Sequence, residues 1–147
     1  MNARTLNYKN LFEAEVPAHW SRQTISDNNL LLLKSPKELL LIRIDYVKNL
    51  GPAGLEGYMC LLRDNPGKVA KVTGVGTSDV EPYATPHCDG KIMTYSLTLN
   101  GVATEITLFA FQNEYRFYVL MLQTPASSPP QTLSEFFDIV NSFRIPQ

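Results

Sequence analysis

The sequence predicts an α+β fold, a central antiparallel sheet of about six to seven strands flanked by helices. Three observations carry this. From Lys91 to Phe143, three strand-like runs joined by two tight turns lead into an amphipathic helix. Leu30 to Ile44 reads as a leucine-rich hairpin, and a second helix spans about Pro52 to Arg63. The coarse order is β, β, β, β, α, β, β, β, β, α.

From the N-terminus, Phe12, Ala14 and Val16 alternate with Glu13 and Glu15, the period-two pattern of an edge strand with its carboxylates in water. Arg22 to Ile25 is a lesser strand. Leu30 to Leu33 and Leu39 to Ile44 are joined by Ser35-Pro36-Lys37-Glu38, a type I turn with proline at its second position. That turn sets Lys34 opposite Leu39, Leu32 opposite Leu41 and Leu30 opposite Arg43. Parity then sorts the side chains. One face collects Leu31, Leu33, Leu40, Ile42 and Ile44 and is core. The other collects Leu30, Leu32, Lys34, Leu39, Leu41 and Arg43, apolar in the middle with basic ends.

The helix that follows places Leu55, Tyr58, Met59 and Leu62 at i, i+3, i+4 and i+7, with Pro52 in its first turn and Asp64-Asn65-Pro66-Gly67 as its stop. Gly54 and Gly57 weaken it, so it depends on packing against the sheet. Val69 to Val75 is another lesser strand. Gly74-Val75-Gly76-Thr77-Ser78-Asp79 lacks the third glycine of a dinucleotide loop and reads as a flexible loop. Thr77 to Pro86, with Pro82 and Pro86, reads as a loop as well.

Ile92 to Leu99 alternates Met93, Tyr95, Leu97 and Leu99 against Ile92, Thr94, Ser96 and Thr98. Asn100-Gly101 closes a type I′ hairpin that pairs Leu99 with Val102, and Val102 to Phe111 runs back. Tyr115 to Leu122 is apolar on both parities apart from Arg116, the mark of a central strand covered on both faces. Pro125, Pro129 and Pro130 keep the next link irregular. Thr132-Leu133-Ser134-Glu135 has the form of a capping box. Behind it Leu133, Phe136, Phe137, Val140 and Phe143 form an apolar stripe, with Asp138 and Asn141 left to water.

Length and a 44% hydrophobic content fit a single domain over residues 1–147. Thirteen basic against fourteen acidic residues, net charge −1, give no field that gathers phosphate, so a nucleic-acid partner is not expected. Met1-Asn2-Ala3-Arg4-Thr5 lacks the apolar run of a secretory signal, and no stretch reaches the length a membrane span needs. The expectation is a cytoplasmic protein without direct membrane insertion.

The two cysteines, Cys60 and Cys88, are then free thiols. Cys60 falls in the first helix as a small buried hydrophobe. Cys88 lies in Pro86-His87-Cys88-Asp89-Gly90, a thiol beside a base. Neighbouring residues rarely converge on one metal, and His19 is distant in sequence, so neither a metal nor a catalytic thiol is expected. No cofactor and no enzymatic activity are predicted. A small-ligand or thiol enzyme using His87-Cys88-Asp89 is the rival reading.

Leu30, Leu32, Lys34, Leu39, Leu41 and Arg43 are the candidate partner-binding residues. Sealing their face would bury two charges, at several kcal/mol each unless paired. A partly open apolar patch rimmed by polar groups suits another chain, a membrane segment or a second copy of the protein. The competing reading has the stems of Lys34 and Arg43 emerging past a covering helix. A homodimer is the expected oligomeric state.

Phe12, Val16-Pro17 and Trp20, followed by the leucine-rich hairpin, a helix, a Gly-turn meander and a closing Ser142-Phe143, resemble the PsbP-like domain. That superfamily includes photosystem extrinsic subunits, the Mog-type Ran-binding import factor and bacterial DcrB-like proteins. The resemblance implies a central antiparallel sheet flanked by helices and action by binding. Within it, the Val-Pro-x-x-Trp start is most similar to the bacterial Eag-type adaptors, cytoplasmic chaperones of type VI secretion that hold hydrophobic or transmembrane segments of an effector. This similarity implies a groove at the hairpin positions Leu30, Leu32 and Leu41. The Thr24 to Asn29 turn is longer, and the segment after the first helix shorter, than in those adaptors. A stand-alone PsbP/Mog-type assembly or protein-binding factor is the alternative.

Overall fold

The computed structural model describes residues 3–23, 30–34, 39–50, 54–64, 72–77, 80–99, 101–126 and 130–146. Among them, β1 (Ala3–Tyr8) and β2 (Phe12–Pro17) form a separate antiparallel hairpin. The main sheet has eight strands: β3 (Ser21–Gln23), β4 (Leu30–Lys34), β5 (Leu39–Tyr46), β6 (Val72–Thr77), β7 (Glu81–Ala84), β8 (Asp89–Leu99), β9 (Val102–Gln112) and β10 (Arg116–Pro125). Their order is β3-β4-β5-β10-β9-β8-β6, with β7 also pairing with β8, and every pairing is antiparallel. A 3-10 turn (Val47–Leu50) leads to helix α1 (Gly54–Asp64), and helix α2 (Pro130–Ser142) follows the last strand.

The front hairpin has the expected register, with Leu30 across from Arg43, Leu32 from Leu41 and Lys34 from Leu39. Ser35-Pro36-Lys37-Glu38 itself lies outside the described residues. So does Asn100, while Gly101 has φ +85° and Leu99 pairs with Val102 as a two-residue hairpin requires. The run expected at Tyr115 to Leu122 becomes β10, which begins at Arg116 and leaves Tyr115 exposed in the turn; it lies between β5 and β9, buried on both faces at Phe117, Tyr118, Val119 and Leu120.

One sheet face carries Leu40, Ile42, Ile44, Tyr118, Leu120, Leu122 and Phe109 under a roof made by β1–β2 and α2. Phe12 stacks on Tyr8 and on Phe143, so the hairpin and the end of α2 share one aromatic cluster. The opposite face carries Met93, Tyr95, Leu97, Ile106, Leu108, Phe117 and Val119, met by Met59 of α1 and Leu50 of the 3-10 turn. Tyr58 tilts against Phe117 at 5.1 Å between ring centres.

Several expectations need correction. The strand at 12–17 is an edge strand as expected, of a two-stranded sheet whose other member was not anticipated. β1 pairs with its full length through a turn in which Lys9 and Asn10 both have positive φ, a conformation that asparagine tolerates better than most residues. Glu13 and Glu15 are held as well as solvated: Arg144 reaches Glu13 at 3.5 Å and Glu15 at 3.2 Å. The Arg144 and Glu13 backbones exchange both hydrogen bonds, and Ser142 Oγ accepts from the Glu15 amide. The outer edge of β2 is thereby partly covered by residues 142–144.

Gly74 and Gly76 lie in strand β6, with a register shift between Thr73 and Gly76, instead of in a loop. The proposed loop from Thr77 to Pro86 contains β7, where Pro82 is tolerated on a short outer strand.

α2 starts at Pro130, two residues ahead of Thr132. Proline loses nothing at a first helical position, and Thr132 and Glu135 become buried residues of the helix face instead of a capping box. Glu135 Oε1 lies 3.2 Å from His19 Nε2. The buried stripe is Phe136, Ile139, Val140 and Phe143; Leu133 is 42% exposed and Phe137 intermediate. Cys60 is half-buried.

Candidate functional site

β4 and β5 lie beside β10, and the three strands align the predicted residues in rows. Leu41 pairs with position 32 on one side and Met121 on the other, and Met121 pairs with Leu108 of β9. The next rows join 34, Leu39, Gln123 and Ile106, then 30, Arg43, Val119 and Ala110. Directly paired residues project to the same side of a sheet, so the parity expected of this hairpin carries over to β10 and β9.

Along each row, burial falls from the sheet centre toward β5. Leu108, Ile106 and Ala110 are buried; Met121 and Gln123 are half-buried; Leu39, Leu41 and Arg43 are half-buried too. The cause is the position of α1, which rests on β8, β9 and the 3-10 turn. Its apolar residues Met59, Leu55 and Tyr58 belong to the cluster built on those strands. Leu39, Leu41 and Met121, with Gln123 at one end, thus form a largely apolar strip about 7 Å along each strand, beside the helix-covered half of the same face. Its centre is leucine and thioether, deformable and apolar. Arg43 stands at one end and Gln123 at the other. Side chains at 30, 32 and 34 lie outside the description, so three of the six predicted residues are placed by backbone register alone.

Sequence reasoning missed Met121 and Gln123. The signal was present, since they continue the odd-numbered parity of β10 after Val119, but their row partners emerge only from the strand order.

The rival site has a different character. Pro86, His87 and Cys88 form the turn between β7 and β8, where Thr85 Oγ accepts from the His87 and Cys88 amides and the Thr85 amide donates to the Cys88 carbonyl. His87 is exposed. Cys88 packs partly against the main core cluster, and burial pushes its thiol pKa above the usual value, while a hydrogen bond with Thr85 pulls the other way and Asp89 adds to the rise. A thiol held protonated is a poor nucleophile. No group of three or more metal-capable side chains occurs among the described residues, and no described helix is long and apolar enough to cross a membrane.

No protein-family model and no curated protein matches the chain. Solved structures do. Cyanobacterial PsbP (CyanoP) from Synechocystis superposes with a TM-score of 0.72 at 13% identity, covering 97% of this chain and 92% of that one. The Ran-binding protein Mog1p of Saccharomyces cerevisiae gives 0.73 at 9% identity, with 99% and 96% covered. PA94 of Pseudomonas aeruginosa, a protein of unknown function, gives 0.60 at 14% identity over 100% and 99%. At such identities the shared property is the backbone arrangement, and these likenesses, with the helices laid on both faces of an antiparallel sheet, show that the chain has the PsbP/Mog-like α+β fold.

Proposed function

We propose that this protein is a non-enzymatic, cytoplasmic adaptor chaperone that shelters a hydrophobic or transmembrane helical segment of a secreted effector, on the strip formed by Leu39, Leu41 and Met121 with positions 30 and 32. The observation that carries this reading is the fall in burial across each row, from buried Leu108 to half-buried Met121 and Leu41. Mog1p, which shares the fold, is a Ran-binding protein, which supports a protein partner in general.

A bare apolar helix in water exposes about 1,000 Å², and covering even a third of that is worth about 8 kcal/mol before ordering costs. The strip is shorter than the roughly 30 Å of a membrane-spanning helix. A homodimer, with the client between two copies, would extend the cover. Arg43, at one end of the strip, would meet the carbonyl end of the client helix, where the helix dipole favours a cation.

The test is a fluorescence titration with a synthetic apolar helix of about 20 residues. Wild type is expected to bind it, and Leu39→Asp with Leu41→Asp is expected to weaken binding at least about tenfold through lost apolar contact. Leu41→Gln is a milder companion should the double variant fold poorly. Unchanged binding by a folded variant would favour the stand-alone PsbP/Mog-type factor that grips a folded surface. Loss on alkylation of Cys88 alone would favour the thiol reading.

A further inference from the structure

At the other end of β5 and β10 from the strip, two tyrosines stand out. Tyr46 is 56% exposed and Tyr115 is 68% exposed. They are neighbours through the backbone: Tyr46 pairs with Arg116, and the Val47 amide donates to the Tyr115 carbonyl at 3.1 Å. The turn is held stiff. Asn113 Oδ1 accepts from the Tyr115 amide at 2.9 Å and the Arg116 amide at 2.8 Å, while the Asn113 amide donates to the Arg116 carbonyl. Two cations flank the ledge, with Lys48 Nζ at 5.9 Å and the Arg116 guanidinium carbon at 6.0 Å from the Tyr46 ring centre.

We infer that this ledge is a second protein-docking surface, built for an acidic segment that carries an aromatic or aliphatic residue between carboxylates. Tyrosine and arginine dominate interface energetics because they present large, stiff area with a polar end. Here the Tyr46 ring is held by cation–π contacts and the turn backbone beneath Tyr115 by hydrogen bonds, so less freedom remains to be lost on binding. Two cations sharing one ring repel each other, and a carboxylate between them relieves this while leaving the tyrosine faces for the apolar residue. Glu114, exposed in the same turn, opposes a phosphate polyanion and an acidic peptide alike; the polyanion fits less well because no basic stripe continues from Lys48 and Arg116 among the described residues. Leu41 and Tyr46 differ in parity and stand about 17 Å apart along β5. The strip and the ledge can therefore be filled together, which is what an adaptor joining a client to a second protein requires.

The experiment is an amide NMR titration of the intact protein with the peptide Ser-Glu-Glu-Trp-Glu-Glu-Ser, its all-Gln counterpart and a single-stranded oligothymidine. Binding of the acidic peptide is expected to shift signals of residues 46–48 and 113–116, to weaken about tenfold or more in 0.5 M salt, and to vanish in Lys48→Glu with Arg116→Glu. Tyr115→Ser should weaken it with the fold unchanged, and Leu39→Asp with Leu41→Asp should leave it intact, which separates this ledge from the strip. Equal binding of the Gln peptide, shifts elsewhere, tighter binding of the oligothymidine, no binding at millimolar peptide, or a self-dimer abolished by Tyr115→Ser would each overturn the inference.

Discussion

Gly90 shows how much one residue can be asked to leave out. A Cβ placed there would stand 2.6 Å from two carbons of the Phe109 ring and within contact distance of the Ala110 carbonyl oxygen. The ring lies across the glycine as a lid, on the face where Gly90 pairs with Phe111. Gly90→Ala must displace Phe109 or bend β8, and is expected to cost about 1–3 kcal/mol in urea unfolding, as overpacking does. No local pattern distinguishes this glycine from a turn glycine, because the need for it comes from a ring on the next strand. By contrast, Leu40, Ile42 and Ile44 were legible as core from parity alone, since alternation in a strand reports the face directly.

Among elements, α2 separates periodicity from placement. The 3.6-residue repeat identified a helix over 132–143 and the buried Phe136, Val140 and Phe143 of its inward stripe, but misplaced the stripe's margin. Leu133 looked interior and is half-exposed, while Ile139 is fully buried among Phe136, Val140 and Phe143. Ile139→Ala is expected to cost about 2–4 kcal/mol by cavity formation, and Leu133→Ala less than about 0.5 kcal/mol. Equal costs in thermal or urea denaturation would contradict this orientation. β1 and β7 were illegible for a related reason. Ala3–Tyr8 and Glu81–Ala84 are polar and short, and become strands because β2 and β8 offer them hydrogen-bond partners.

At the scale of the molecule, the sheet faces respond to alkali. Burial raises the phenol pKa of Tyr95, with Tyr58 nearby adding to the rise. Burial also raises Tyr118, against the pull of Arg116 and a hydrogen bond from Asn113. The folded state therefore keeps protons that the unfolded chain has surrendered. Their contribution is whole below about pH 10 and is lost as pH climbs through the folded values. Urea midpoints measured from pH 8 to 11.5 are expected to fall above pH 10, and Tyr118→Phe should flatten that slope.

The candidate strip was half legible at this scale. The hairpin register followed from a four-residue turn, but Met121 and Gln123 joined it only because the chain inserts β10 beside β5, a long-range choice that no window of sequence contains.

The clasp of Arg144 on Glu13 and Glu15 bears on how the molecule is made. These groups are 129 positions apart for the Glu15 pair, and Phe12, Ala14 and Val16 have no complete roof until Phe143 arrives. During synthesis the β1–β2 hairpin must wait, greasy and unsheltered, until residues 143 and 144 have been added. Distant pairings of this kind make for slow maturation, and they leave the newborn chain dependent on whatever keeps such surfaces apart in the meantime.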